Sequence, residues 1–313
     1  MLPTTIQPFT LLSDQDGLPL SGLLLLPQEE TTPCGILQVS HGMCEHKERY
    51  LDFLRHCTKQ GYICLIHDHR GHGESISDTI PLGYFGEGGA EALVADLHQM
   101  TEWIQTQYAG LPLYLLGHSM GSFYARQYLC EWGDELDGAI IMGTGFQPKA
   151  LVATARTLCR VLAVFFGWEH RSKLVANLSF LGYNRGLEGR TPQDWLNRDQ
   201  AEVDKYRADE RCTFTFTLNA YYSMFTGILR LYDPAVLAGV PKDLPLLFLA
   251  GDADPVGERT AGVRRAIQSL RDAGVGNIES KFYPGARHEL LVETNKAEVF
   301  ADIAGWLEKQ LHP

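Results

Sequence analysis

The stretch Leu113-Tyr-Leu-Leu-Gly-His-Ser-Met-Gly-Ser-Phe-Tyr-Ala-Arg-Gln-Tyr-Leu129 decides how this chain is read. Its first four residues are a continuous apolar run, the pattern of a strand covered on both faces. Its last eight, Ser122 to Leu129, read as a helix. Between them Gly117-His-Ser-Met-Gly121 puts a serine where a strand turns sharply into a helix. Small residues two positions either side let strand and helix approach, and such a turn holds its serine on a strained backbone. Ser119 then stands at a helix N-terminus, where the Met120 N–H can face a developing negative charge.

Outward from this turn, strand-like and helical patterns alternate. Phe9–Leu12 and Leu18–Leu26 are strand-like and are split by the turn signal Asp14-Gln-Asp-Gly17. Gly35–Ser40 reads as a buried strand, Tyr50–Gln60 as a helix ended by Gly61, and Tyr62–His67 as the next strand. Glu91–Tyr108 carries Leu93, Leu97, Met100, Ile104 and Tyr108 at three-to-four spacing, which predicts a helix. Ala139–Met142 and Leu246–Ala250 are again continuous apolar runs, and Ile278–Tyr283 is strand-like. The expectation is an α/β domain with a mostly parallel central sheet flanked by helices.

About a hundred residues between the runs at 139–142 and 246–250 break this rhythm. They hold the apolar Leu151–Trp168, a loop-like Gly182–Pro192 and an aromatic-rich Phe214–Phe225. The region reads as a mostly helical cap inserted after the sixth strand, residues 146–240, with 1–145 and 241–313 forming the core. A length of 313 residues, awkward for one domain or two, then becomes one domain with an insertion.

A serine hydroxyl is a weak nucleophile and needs a base, which in turn needs an orienting acid. On a strand–turn–helix scaffold of this kind the chain order is Ser, acid, His. Beyond Ser119 and the insertion stand only His288, in a loop after the strand-like 278–283, and His312, in a tail expected to fray. Gly251-Asp-Ala-Asp-Pro255 follows the strand at 246–250 and offers Asp252 and Asp254, which spacing alone does not separate. A second oxyanion donor should come from the loop after Gly35–Ser40, where His41-Gly-Met43 makes the Met43 N–H the expected group.

Ser40-His-Gly-Met-Cys-Glu-His-Lys-Glu-Arg-Tyr50, Asp68-His-Arg-Gly-His-Gly-Glu-Ser75, Gly117–Gly121, Gly251-Asp-Ala-Asp254 and His288 occur together and in order. As a set they resemble the monoacylglycerol lipase and lysophospholipase-like branch of the α/β-hydrolases. The resemblance spans nearly the whole core and is weakest in the insertion. It implies the α/β-hydrolase fold, favours Asp254 as the acid, and implies that Met43 and Met120 supply the oxyanion-hole N–H groups. It also points towards monoacylglycerol or lysophospholipid as substrate. The sequence departs from the pattern at Met43-Cys44, where relatives often have small residues.

Composition narrows the setting. Hydrophobic residues at 45% and charged residues at 21% exclude a disordered chain, a collagen and a coiled coil. A net charge of −11 without a basic run disfavours nucleic acid and adhesion to anionic lipid, and favours a neutral or zwitterionic amphiphile as substrate. Seven scattered cysteines with no C-x-x-C pair suggest reduced thiols, and the N-terminal residues lack a cationic start before an apolar core. A cytoplasmic protein is expected. The stretch 151–168 is broken by Arg156 and Arg160 and does not read as a membrane span, leaving at most transient surface contact through the cap.

The expected chemistry is ester hydrolysis through an acyl-enzyme on Ser119, with no cofactor and no metal. His67-Asp-His-Arg-Gly-His72 has the H-x-H spacing of some zinc hydrolases, but no later His/Asp set completes a second half, and the segment reads as a polar brace. An aminopeptidase on the same scaffold is the alternative and needs acidic cap residues, for which Glu169, Glu188 and Asp194 are available. Dehalogenases and epoxide hydrolases place Asp where Ser119 stands. A non-catalytic binding module would normally lack a member of the Ser/Asp/His set, and none is missing.

Overall fold

The computed structural model describes residues 5–312. Along them run β1 (Thr5–Leu12), β2 (Pro19–Leu26), β3 (Gly35–Ser40), α1 (Leu51–Thr58), β4 (Tyr62–His67), α2 (Gly89–Gln107), β5 (Leu113–His118), α3 (Met120–Trp132) and β6 (Gly138–Met142). Five helices follow: α4 (Lys149–Phe166), α5 (Lys173–Ser179), α6 (Gln200–Ala208), α7 (Leu218–Arg230) and α8 (Pro234–Leu237). The chain then returns through β7 (Leu246–Gly251), α9 (Ala261–Asp272), β8 (Ile278–Tyr283) and α10 (Lys296–Leu311).

All eight strands join one sheet in the order β1-β2-β4-β3-β5-β6-β7-β8, in which β3 to β8 run parallel and the β1–β2 and β2–β4 pairings are antiparallel. Every residue of β3, β4, β5, β6 and β7 is buried, which is why these segments read as unbroken apolar runs rather than as alternation. One face is covered by α2, α3, α9 and the cap helix α7, the other by α1 and α10. The strand order reverses at β3, so the loops after β3 and β5 open onto one crevice. Register then stacks the carboxyl ends: Ser40 opposite Gly117, His118 opposite Met142, and Gly251 opposite Tyr283.

Between β6 and β7 the regular elements are helices, and α4 packs along α7 with Val152, Cys159 and Ala163 buried. Gly182–Pro192 forms no helix or strand, as read. α10 continues to Leu311, because Val299, Phe300, Ile303, Trp306 and Leu307 are buried against the second face of the sheet, and His312 lies just beyond its end. Among the described residues, no helix is long and apolar enough to cross a membrane.

Candidate active site

Ser119 lies between the last residue of β5 and the first of α3, at φ 53° and ψ −119°. A side chain held at positive φ costs about 1–3 kcal/mol and persists only where packing enforces it. Here the enforcement is visible. A Cβ on Gly121 would stand 2.1 Å from the Ser40 carbonyl oxygen, and one on Gly117 would stand 2.6 Å from both Ala125 Cβ and the Gly121 carbonyl. The helix can therefore reach the sheet only with glycine at both places, and the serine absorbs the bend.

His288 sits in the loop after β8 and its Nε2 is 2.7 Å from Ser119 Oγ. Its Nδ1 is 2.9 Å from Asp254 Oδ2. Asp254 is fully buried and its Oδ1 accepts the Val256 N–H. Asp252, by contrast, is exposed and accepts the Gly285 N–H, so it braces the histidine loop from outside. The structure thus brings Ser119, Asp254 and His288 into one hydrogen-bonded line and leaves Asp252 off it. His312 follows α10 and is exposed.

Met43 follows β3 and Met120 opens α3; the Met120 side chain is buried and Met43 is partly buried against the core. Their loops are held together: Ser40 Oγ donates to the Gly121 carbonyl, and a Cβ on Gly42 would lie 3.1 Å from Ser119 Cβ. Among the described residues neither the Met43 nor the Met120 N–H has a hydrogen-bond partner, leaving both free to donate. An oxyanion hole is built from two such unpaired donors.

Behind the turn lies a buried polar network that no sequence motif marks. Glu45 Oε2 accepts the Gly42 N–H at 2.7 Å and the Tyr50 hydroxyl at 2.7 Å, and lies 3.2 Å from His118 Nδ1. Burial alone would raise the Glu45 carboxyl, but the neighbouring His118 and Arg49 overrule it and hold it well below the usual range. Burial likewise pulls His118 down, and the Glu45 carboxylate beside it wins and raises it. The sequence signal for both is weak: Glu45 lies in a polar stretch after β3 with no spacing rule of its own, and His118 is the unspecified position of G-x-S-x-G.

The segment 67–72 is a brace of buried groups. Asp68 accepts from Lys47 Nζ at 2.6 Å, and Arg70 is forked between Asp96 and Asp16. His41, His67, His69 and His72 pack ring against ring in this layer. Among the described residues, one group offers metal-ligand geometry: His46, Asp209 and Cys212, with ligand atoms within 4.8 Å of one another. Two of its three donors are already engaged, since both His46 ring nitrogens meet carboxylates, Glu48 and Asp209, and Arg211 grips Asp209.

Known proteins share this arrangement of fold and sequence. The Hydrolase_4 family, described as serine aminopeptidase, S33, matches residues 31–295. The monoglyceride lipase of Mus musculus is 30% identical over 287 residues, spanning 90% of this chain and 84% of that one. Among solved structures, a highly thermostable carboxyl esterase from Bacillus coagulans in complex with glycerol superposes with a TM-score of 0.89 at 27% identity, covering 99% of this chain and 100% of that one. A soluble variant of monoglyceride lipase from Saccharomyces cerevisiae superposes at 0.78 and 21% identity, covering 99% and 96%, and speaks for the fold. The chain belongs to the Hydrolase_4 family, and it is a carboxylic ester hydrolase of the α/β-hydrolase fold.

Proposed function

We propose that this protein hydrolyses carboxylic esters of single-chain lipids, monoacylglycerols or lysophospholipids, through an acyl-enzyme on Ser119. The observation that carries the reading is the line Ser119 Oγ, His288 Nε2, His288 Nδ1, Asp254 Oδ2, with gaps of 2.7 and 2.9 Å. His288 takes the Ser119 proton as Oγ attacks the acyl carbon, and Asp254 holds the imidazole in the required tautomer. The Met43 and Met120 N–H groups stabilise the oxyanion, each worth about 3 kcal/mol by analogy with comparable sites. His288 then protonates the leaving alcohol, and a water activated by the same ring hydrolyses the acyl-enzyme. The scheme needs no cofactor and no metal.

The lipid part of the reading rests on the cap, taken as residues 146–240 between core segments 1–145 and 241–313. On α4, α5 and their flanks Leu151, Val161, Val164, Phe165, Phe166 and Leu181 stand exposed, an apolar face of the kind that meets amphiphiles or a lipid surface. The relatives named monoglyceride lipase support the same substrate class. Reduced cysteines, seven of them free, agree with a cytoplasmic setting. For the aminopeptidase alternative one of the three cap carboxylates is already engaged, since Asp194 accepts the Thr191 N–H and hydroxyl.

A fluorophosphonate probe and a substrate panel test the proposal. The wild-type protein should be labelled and Ser119→Ala should not. Hydrolysis should favour monoacylglycerol or lysophosphatidylcholine over an aminoacyl naphthylamide. Labelling of another serine overturns the residue assignment, and preference for the naphthylamide overturns the substrate class.

A further inference from the structure

The base of this site is held from the cap. A 3-10 turn at Asp194–Leu196, between α5 and α6, lies against the histidine loop 287–293. Arg287, the residue before the base, sends one guanidinium nitrogen to two cap carbonyls, Asp194 at 2.6 Å and Asn197 at 2.8 Å. The Glu289 N–H, immediately after the base, donates to the Leu196 carbonyl at 2.9 Å. Trp195, between these attachment points, lays its ring 5.1 Å from the His288 ring at 47°. Arg198 and buried Glu293 add a second latch at 2.9 Å.

We infer that Arg287 and Trp195 are positioning residues, through which the cap turn Asp194–Asn197 sets the attitude of the His288 imidazole towards Ser119; this deepens the hydrolase reading and rests on it. The physical case has three parts. First, both peptide neighbours of His288 are fixed by carbonyls of one short turn, so the turn and the base move together. Second, an arginine beside a catalytic base would ordinarily extend into water. Here its charge-assisted bonds go to backbone oxygens of the cap, and it has no carboxylate partner among the described residues. Third, Asp254 fixes Nδ1 but leaves the ring free to rock about that bond, and the Trp195 ring packs beside it at 5.1 Å, as the His118 ring does at 5.0 Å.

Misplacement of a reacting group by about 1 Å can cost a hundredfold in rate without a change in binding. Arg287→Ala should therefore lower kcat on a soluble short-chain ester about tenfold or more, with KM within twofold. The rate of Ser119 labelling by a fluorophosphonate should fall in parallel. Arg287→Lys should restore part of both, since an ammonium can reach one carbonyl. Trp195→Ala should repeat the pattern and Trp195→Phe should recover most of it. If Arg287→Ala fails to fold, the Trp195 pair carries the test, with thermal midpoints recorded for each. Unchanged kcat and labelling rate in folded variants, or a loss that appears in KM alone, overturns the inference. Because labelling needs no particular substrate, a protein that labels normally but spares lipid esters indicts the substrate class and leaves the positioning test intact.

Discussion

The Glu45 carboxylate grips the Gly42 N–H at 2.7 Å, and with it the loop that carries the Met43 N–H to the nucleophile. The same oxygen lies 3.2 Å from His118, the residue before Ser119, so one buried anion ties both sides of the candidate oxyanion hole together. Glu45→Ala should lower kcat about 10- to 100-fold with little change in KM, the signature of a donor lost from the transition state alone. Glu45→Gln, which keeps an acceptor, should do less. Steady-state kinetics on a soluble ester decide it, and equal losses in the two variants would point to folding instead.

Asp254 and Asp252 should separate sharply on substitution. Asp254→Asn removes the acceptor from His288 Nδ1 and favours the wrong tautomer, a loss of about 10⁴ in kcat by analogy with other triads. Asp252→Asn disturbs only the Gly285 N–H bond at the loop surface and should cost less than tenfold. A reversed order of the two rates would exchange their roles.

The histidine layer makes the fold sensitive to mild acid. Burial holds His41 at about 4 and His67 and His72 at about 3, below the ordinary 6.5. Between those values the unfolded chain takes up protons that the native chain refuses, so stability falls as pH drops from 6.5. At pH 5 each ring accounts for about 2 kcal/mol of loss. His118, raised instead, has its contribution fully present below 6.5 and does not offset this. Glu48, held at about 2, begins to lose its contribution only below about 4.5. Urea midpoints should therefore drop between pH 6.5 and 5, and His67→Phe should flatten the slope. A midpoint constant across that window contradicts the account.

The cap face should read surface charge. Residues 149–181 carry Lys149, Arg156, Arg160, Arg171 and Lys173 against Glu169, a local excess of four positive charges on a chain of −11. A groove of about 460 Å³ beside α4 and α7 is lined by Lys149, Arg156 and Arg230 with Asp233 as its acid, and Arg230 is paired with Glu131. Exposed apolar residues beside a cationic row match a helix lying in a lipid interface. Flotation with phosphatidylcholine vesicles should strengthen when phosphatidylglycerol is added and weaken with salt. Lys149→Glu with Arg160→Glu should abolish the difference. Equal binding to both vesicle types would show that the whole-chain charge governs after all.

The turn itself tolerates no added methyl group. Gly121→Ala places a Cβ against the Ser40 and His41 carbonyls, at 2.1 and 2.6 Å, and backbone atoms cannot rotate away. A destabilisation of about 3 kcal/mol or more is expected, together with loss of Ser119 labelling. Thermal unfolding beside wild type measures it, and a stable, fully labelled variant would contradict the geometry.

Much of this protein was determined by its sequence. Five of the six parallel strands and the turn at Ser119 are local matters: buried, mostly apolar runs, glycines at 117 and 121, and a helical run from Ser122. His288 followed from chain order, since only two histidines stand beyond the insertion. What local pattern cannot carry is the relation between segments distant in sequence. Asp252 and Asp254 share one loop, and only the fold shows which carboxylate is buried beneath the imidazole. The whole-chain charge conceals the local cationic excess of residues 149–181, because a sum discards position. Arg287, Trp195 and Asn197 bear no motif. Their meeting depends on a hydrogen-bonded contact across about 90 residues, which forms only once the sheet and the cap have packed.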